Sequence, residues 1–232
     1  MLRFHVLTLF PDIFNGFLSE SIIRIAQEKK YLEIRTVNFR SYADDKHKTT
    51  DDRPFGGGPG MVLKVEPIVK AVEEIKKEFP QAKCIALSPQ GQPFQQAQAV
   101  EWKQEEDIIL LCGRYEGFDE RIFDILKPIE VSIGDYVLTG GEIPAMVIIE
   151  SITRLIPGVL GCEESFKEDS FADGLLDHPQ YTRPPEFRGL AVPEVLLSGD
   201  HQKIKDWRRD KSLEKTKLKR QDLFDKQRES NE

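Results

Sequence analysis

Cysteine is scarce: Cys84, Cys112 and Cys162 are the only three in 232 residues, and no two form a C-x-x-C pair. An odd, widely spaced set supports neither a disulfide framework nor a zinc site, and it fits a reducing cytoplasm. Long apolar runs are missing as well, since nothing approaches the roughly 18 uninterrupted apolar residues of a membrane span. The opening MLRFHVLTLFPDIF is interrupted by Arg3 and His5, closed by Pro11 and Asp12, and followed by no small-residue cleavage site, so it reads as a first strand rather than a signal. The chain has no G-x-G-x-x-G, no glycine-rich loop ending in G-K-[ST] and no G-x-S-x-G elbow. Dinucleotide binding, P-loop chemistry and serine hydrolysis are therefore unsupported. His5, His178 and His201 lack metal-ligand spacing, and no metal site is expected.

What is there is the profile of a soluble globular protein: 39% hydrophobic and 31% charged residues, with 14 Phe against 2 Trp. The net charge of −7 argues at first against nucleic acid, but it is unevenly placed. Between 203 and 220, nine basic residues (Lys203, Lys205, Arg208, Arg209, Lys211, Lys215, Lys217, Lys219, Arg220) face only Asp206, Asp210 and Glu214. This is a local +6 that leaves −13 elsewhere. A basic C-terminal segment on an acidic body is a candidate phosphate-contacting surface. Ion pairs along a solvated helix face would give the same pattern.

Strand-like runs alternate with helix-like ones. RFHVLTL precedes a helix opened by Asp12, then YLEIRTVNF follows; helices near 66–79, 94–104 and 118–127 separate KCIALS, DIILLC and IEVS. This rhythm predicts an α/β fold with a mainly parallel sheet flanked by helices. The segment 143–156, apolar on several faces, is expected to be a buried or interface helix. Beyond Pro157 the periodicity gives way to Gly, Pro and acidic residues, which is linker composition. The last stretch, from PEVLLSGDH onward, reads as short helices with Ser198 or Asp200 as N-cap, making a small helical C-terminal domain.

Three loops follow predicted strands: LSPQG (87–91), CGRYEG (112–117) and SIGDYVLTGGE (132–142). In open parallel sheets ligands bind outside the carboxyl ends of the strands, where glycine lets the backbone approach, so one shared pocket is the economical reading. A long loop over 40–60, with DDRPFGGGPGM at its core, suits close approach to a flat ligand or nucleotide. His47, Lys48 and Arg53 add donors for phosphate or base edges.

DDRPFGGGPGM, LSPQG, CGRYEGFDER, SIGDYVLTGGE, RLIPGVLG, EDSFADGLLD, YTRP and VLLSGDH, in this order and spacing, closely resemble the bacterial tRNA (guanine-37-N1)-methyltransferase family over essentially the whole chain. The resemblance implies a knotted methyltransferase, with a C-terminal trefoil knot that composition alone would exclude by default. It implies residues 1–160 as the knotted α/β methyltransferase domain, 161–175 as a linker and 176–232 as a helical tRNA-binding domain. It also implies a cytoplasmic, membrane-free homodimer with active sites at the subunit interface, acting on the anticodon stem-loop of tRNA.

Carried onto this sequence, the resemblance places S-adenosyl-L-methionine against Leu87, Ser88, Pro89, Gln90 and Gly91, and against Gly113, Arg114, Tyr115, Glu116 and Gly117. The third loop would contribute Ser132, Ile133, Gly134, Asp135, Tyr136, Val137 and Leu138, with Gly140, Gly141 and Pro144. A branched side chain at Gly113 or Gly141 is then expected to abolish donor binding while folding survives. Neutral guanine N1 carries a proton, so methylation there needs a base and a cation to stabilise charge on O6. The family pattern puts the base at Asp169, reaching in from the partner subunit, and the cation at Arg154. Without the resemblance, Glu163, Glu164, Glu168, Asp173 and Asp177 are equal candidates for the base, and Arg154 reads first as an end-of-helix charge complementing the dipole. A ribose 2′-hydroxyl methyltransferase and a catalytically silent RNA-binding protein are the competing readings.

Overall fold

The computed structural model describes residues 1–160 and 169–231, with side chains through 227. Cys162, Glu163, Glu164 and Glu168, and with them most of the segment read as a linker, lie outside the described residues. The chain divides into two compact units, Met1–Gly161 and Cys162–Glu232.

The first unit is built on seven strands: β1 (Leu2–Thr8), β2 (Leu32–Asn38), β3 (Asp51–Asp52), β4 (Val62–Leu63), β5 (Lys83–Pro93), β6 (Asp107–Cys112) and β7 (Ile129–Ser132). Its helices are α1 (Asn15–Ser19), α2 (Ser21–Glu28), α3 (Val65–Glu78), α4 (Gln96–Trp102), α5 (Arg121–Leu126) and α6 (Glu142–Thr153). Five strands form one parallel sheet in the order β2-β1-β6-β5-β7. Central β6, DIILLC, is buried along its whole length, whereas edge strand β2 is half exposed. That difference is what burial on two faces against one predicts.

Alternation along the strands divides the core in two. Leu7, Cys84, Ala86, Ile109 and Leu111 pack with Ile68, Ala71 and Val72 of α3 and Ile122 of α5. On the other face α6 packs against α2 and α4 and presents buried Ala145, Ile148, Ile149 and Ile152. The apolar segment expected at 143–156 is thus mostly core, although Ile143 and Val147 remain exposed.

At the amino ends of β1 and β6, Arg3 grips Asp107 with two 2.7 Å hydrogen bonds, and the His5 ring lies 3.1 Å from the same carboxylate. Phe79 covers this group, 4.7 Å from the Arg3 guanidinium. Burial on its own would raise the Asp107 pKa. The hydrogen bonds from Arg3 and His5 outweigh it and hold the group below the usual aspartate range. A carboxylate lowered in the folded state stabilises fully above its unfolded pKa of about 3.9, and that contribution is lost as pH falls through its folded value. Asp107→Asn is expected to cost about 1–3 kcal/mol at neutral pH. In urea titrations the gap to the parent should narrow on acidification below pH 4; a gap constant from pH 7 to 2 would refute this assignment.

Two local expectations change. The single helix opened by Asp12 is a 3-10 turn at Pro11–Phe14, then α1 and α2 separated at Glu20, whose backbone is extended. Ser19 donates back to the Gly16 carbonyl and ends α1, the competition with the helix ladder that serine offers. The loop expected over 40–60 is largely folded. Phe39–Tyr42 is a 3-10 turn, and the Asp45 carboxylate accepts from the amides of His47 and Thr49, while the Lys48 ammonium donates to the Ala43 carbonyl. β3 and β4 then pair as an antiparallel stem, leaving 53–61 as the actual loop, with Phe55 fully exposed.

The second unit has β8 (Glu186–Phe187), β9 (Leu190–Ala191), α7 (Glu194–Leu197), α8 (His201–Lys219) and α9 (Gln221–Asn231). Asp200 caps α8 by accepting from the Lys203 amide, while Ser198 accepts from the Asp200 amide. Residues 175–178 are anchored on α8: the Leu176 amide donates to Thr216 Oγ1 at 2.9 Å, Ser212 Oγ donates to the Leu176 carbonyl, and Lys215 Nζ donates to the Asp177 carbonyl at 2.8 Å. Leu175 and His178 are buried as a result, with the His178 ring edge-on to Trp207. The β8–β9 hairpin was not foreseen. Arg188 and Gly189 both take positive φ, as a tight two-residue turn between twisted strands requires.

Candidate active site

β6, β5 and β7 are adjacent, so the loops leaving their carboxyl ends converge and line one cavity of about 390 Å³. This volume falls within the usual range of a small-molecule site. Two backbone crossings shape it. Leu87 and Gln92 both face Val131, so Ser88 to Gly91 bulge out of β5 and rejoin β7. A β-carbon on Gly91 would stand 2.3 Å from the Val131 amide nitrogen, so no other residue fits there without moving backbone. The second crossing joins β6 to the start of α6. The Gly141 amide donates to the Gly113 carbonyl at 2.9 Å, Arg114 and Gly140 form an antiparallel bridge, and a β-carbon on Gly141 would lie 2.6 Å from Cys112 Cα.

The Gly-rich loop is tied to the same wall. The Glu116 amide donates to the Met61 carbonyl, the Leu63 amide to the Gly117 carbonyl, and the Asp119 amide to the Leu63 carbonyl. Between the Arg114–Gly140 bridge and the Glu116–Met61 hydrogen bond, Tyr115 is held at φ +61, a left-handed conformation that costs a bulky residue roughly 1–3 kcal/mol. Strain at a cavity wall that is over-determined by neighbouring hydrogen bonds points to function at that wall.

Of the residues expected to meet the donor, those at 87–90, 113–117, 132–134, 136–138, 140, 141 and 144 line the cavity. Gly91 and Asp135 do not; Gly91 acts instead through its contact with β7. The lining also includes Phe118, Glu120, Phe123, Val131 and Thr139, which sequence reasoning missed. Phe118 and Phe123 stack edge-to-face at 6.1 Å, a pairing across a turn that no local pattern announces. Arg154 is the exposed C-cap of α6, and Asp169 opens a turn, its carbonyl accepting from the Ala172 amide. Neither is among the lining residues.

The cysteines of this unit are not nucleophiles. Burial pushes the Cys84 thiol up to about 12, and burial followed by the Glu142 charge pushes Cys112 well above its ordinary value. Among the described residues no cluster of His, Cys, Asp and Glu could hold a metal ion, and no helix is long and apolar enough to cross a membrane.

Comparison with known proteins identifies the family. The family model described as tRNA (Guanine-1)-methyltransferase TrmD matches residues 2–226. A tRNA (guanine-N(1)-)-methyltransferase of Geobacillus kaustophilus is 55% identical over 224 residues, 97% of this chain and 92% of the relative. The Moorella thermoacetica protein of the same name is 56% identical, covering 96% of this chain and 90% of its own. That of Clostridioides difficile is 53% identical over 98% of this chain and all of the relative. A match this long runs through all three cavity loops and the Gly-rich loop alike, and by it the chain belongs to the tRNA (guanine-N1)-methyltransferase family.

Proposed function

We propose that this chain transfers a methyl group from S-adenosyl-L-methionine to N1 of the guanosine just 3′ of the anticodon, with the cavity as the donor site. The observation that carries this reading is the convergence of three glycine-containing loops on one cavity at the carboxyl ends of a parallel sheet. The lining suits such a group: apolar surfaces from Leu87, Val131, Leu138 and Pro144 for a flat base, and exposed loop backbone for its polar edge. When bound, the donor supplies a methyl group already activated by a sulfonium. The chain's part is alignment, removal of the N1 proton by Asp169 and stabilisation of charge on O6 by Arg154.

Asp169 and Arg154 would meet in a homodimer, each site taking one residue from each subunit. The exposed apolar side chains of Ile143 and Val147 on α6, and of Val137 and Leu138 in the loop before it, support such an interface. The trefoil knot implied by the family resemblance would bring its crossing segments together where residues 112–113 meet 140–141. The fully exposed Phe55 and the basic residues of α8 would engage the anticodon stem-loop of tRNA in the cytoplasm.

The decisive measurement is methyl transfer to an unmodified tRNA transcript, with the product nucleoside identified. 1-Methylguanosine 3′ of the anticodon is expected; a ribose methyl, or tRNA binding without transfer, would establish one of the competing readings instead.

The RNA surface has its own test. Lys215 is unsuitable for it, because its ammonium holds the Asp177 carbonyl. Reversing charge at exposed Lys205, Lys217 and Lys219 is expected to weaken tRNA binding and to flatten its salt dependence by roughly 0.7–0.9 in log–log slope per lost phosphate contact. Donor affinity should be unchanged. A triple variant that follows the parent across the salt series would mean that these lysines are only solvated.

A further inference from the structure

We infer that Glu142 is a positioning residue for the methyl-donor site: its buried carboxylate holds the Arg114 guanidinium in the cavity wall. The inference rests on the cavity being the donor site. Glu142 is the first residue of α6, and its side chain is 1% exposed, an unusual place for a carboxylate unless something compensates it.

Three elements converge on it. Thr8 Oγ1, at the end of β1, donates to Glu142 Oε1 at 2.7 Å while accepting from the Phe10 amide at 2.9 Å. The N-terminus of α6 supplies the positive end of a helix dipole. Arg114, which lines the cavity, places Nη2 2.9 Å from Glu142 Oε2. The guanidinium is held from its other side by the Phe10 ring, 4.6 Å from Cζ to centroid.

Thr8 therefore serves both halves of the clamp. It fixes the carboxylate through its hydroxyl hydrogen and the Phe10 backbone through its lone pair. Gly140 completes the arrangement, since a β-carbon there would fall 2.3 Å from Arg114 Nε and 2.5 Å from Glu142 Oε2.

A purely structural ion pair would be expected to satisfy itself, and this one does not. Arg114 Nε and Glu142 Oε2 are both buried without a well-directed hydrogen bond, and Nη1 has only a long 3.4 Å contact to the Thr139 carbonyl. The charge pair fixes where the guanidinium lies, while Nε stays buried and Nη1, with only that long contact, keeps hydrogen-bonding capacity for the cavity. This is the arrangement a ligand acceptor would complete, and buried polar groups left unmatched are otherwise costly.

The test compares three variants by titration calorimetry with S-adenosylmethionine and by thermal unfolding. Glu142→Gln keeps the volume and an acceptor for Thr8 but removes the charge facing Arg114. It is expected to raise the donor Kd roughly tenfold or more, and so is Arg114→Gln. Because Glu142 acts through Arg114, the double variant should bind no worse than Arg114→Gln alone, so the two losses must not multiply. tRNA affinity should be unchanged throughout.

A folded Glu142→Gln protein with parental donor affinity would overturn the inference, as would losses that multiply in the double variant. Should Glu142→Gln alone not fold, the double variant removes both charges of the pair and so is less exposed to the penalty of an unpaired buried charge. Its affinity must then match that of Arg114→Gln. Were the parent itself to show no affinity for S-adenosylmethionine, the donor-site reading would fall and this inference with it. A binding parent with unaffected variants would sink the inference alone.

Discussion

Asp169→Ala is expected to lower kcat by about 10²–10⁴-fold while leaving the affinities for S-adenosylmethionine and tRNA close to the parent's. N1 of guanine offers no lone pair to a methyl group until its proton is removed, so a group that acts only on that proton stabilises the transition state and little else. Arg154→Ala should also reduce turnover strongly, because charge appears on O6 as the proton leaves.

The proposed sharing of the site between subunits makes a sharper claim. Mixing the two single mutants restores one intact site if each site draws on both subunits and none if each subunit supplies its own pair, so partial return of turnover is expected. A heterodimer of the parent with the double mutant has no intact site if each site draws on both subunits, but keeps one if each subunit supplies its own pair. Isolated through orthogonal tags, that heterodimer is expected to be inactive. Turnover near half that of the parent dimer would overturn the shared site.

The second large effect is expected at Gly141, and here the structure revises what the sequence suggested. The two substitutions Gly113→Val and Gly141→Val look alike in sequence, each placing a branched side chain in a pocket loop without disturbing the fold. In the structure they differ. A β-carbon on Gly113 meets the edge of the Phe118 ring at 3.0 Å, a side chain that can swing by a few tenths of an ångström. One on Gly141 meets Cys112 Cα at 2.6 Å and the Gly113 amide nitrogen at 3.0 Å, where two buried stretches of backbone are hydrogen-bonded to each other.

Gly141→Val is therefore expected to cost about 3 kcal/mol or more, at the upper end of overpacking effects, and to lower Tm by roughly 6–12 °C along with losing donor binding. Gly113→Val should keep most of its stability and lose affinity instead. Differential scanning calorimetry checks the contrast: equal Tm values for parent and Gly141→Val would mean that the crossing can relax.

Much of the fold was legible because parallel strands buried on two faces must be apolar throughout. KCIALS and DIILLC announce themselves in this way, and the helices between them follow from period and length. The elements that were misread are those decided by short-range polar chemistry. Asp45 folds the segment after Phe39 through hydrogen bonds to the amides that follow it, and Arg188–Gly189 makes a hairpin out of strands only two residues long. Both signals were present in the chain, as an Asx-type turn and an X-Gly pair, but they are weak beside hydrophobic periodicity.

The division for the site runs along the same physical line. The chain alone announces the parallel α/β body, the loops at strand ends, the Asp200 cap and, through its motifs, the family, but it reads as short helices where α8 runs unbroken for 19 residues. Each of these depends on residues close in the chain or on a pattern spread evenly along it. Which glycines are indispensable follows from packing alone. Packing also decided that Phe118 and Phe123 belong to the cavity, that Lys215 is structural, and that Thr8, Phe10, Arg114 and Glu142 form one buried unit. Those facts depend on atoms a few ångströms apart that are separated by up to 134 positions in sequence. No periodicity encodes such a meeting; it exists only once β1, β6 and α6 have been packed against one another.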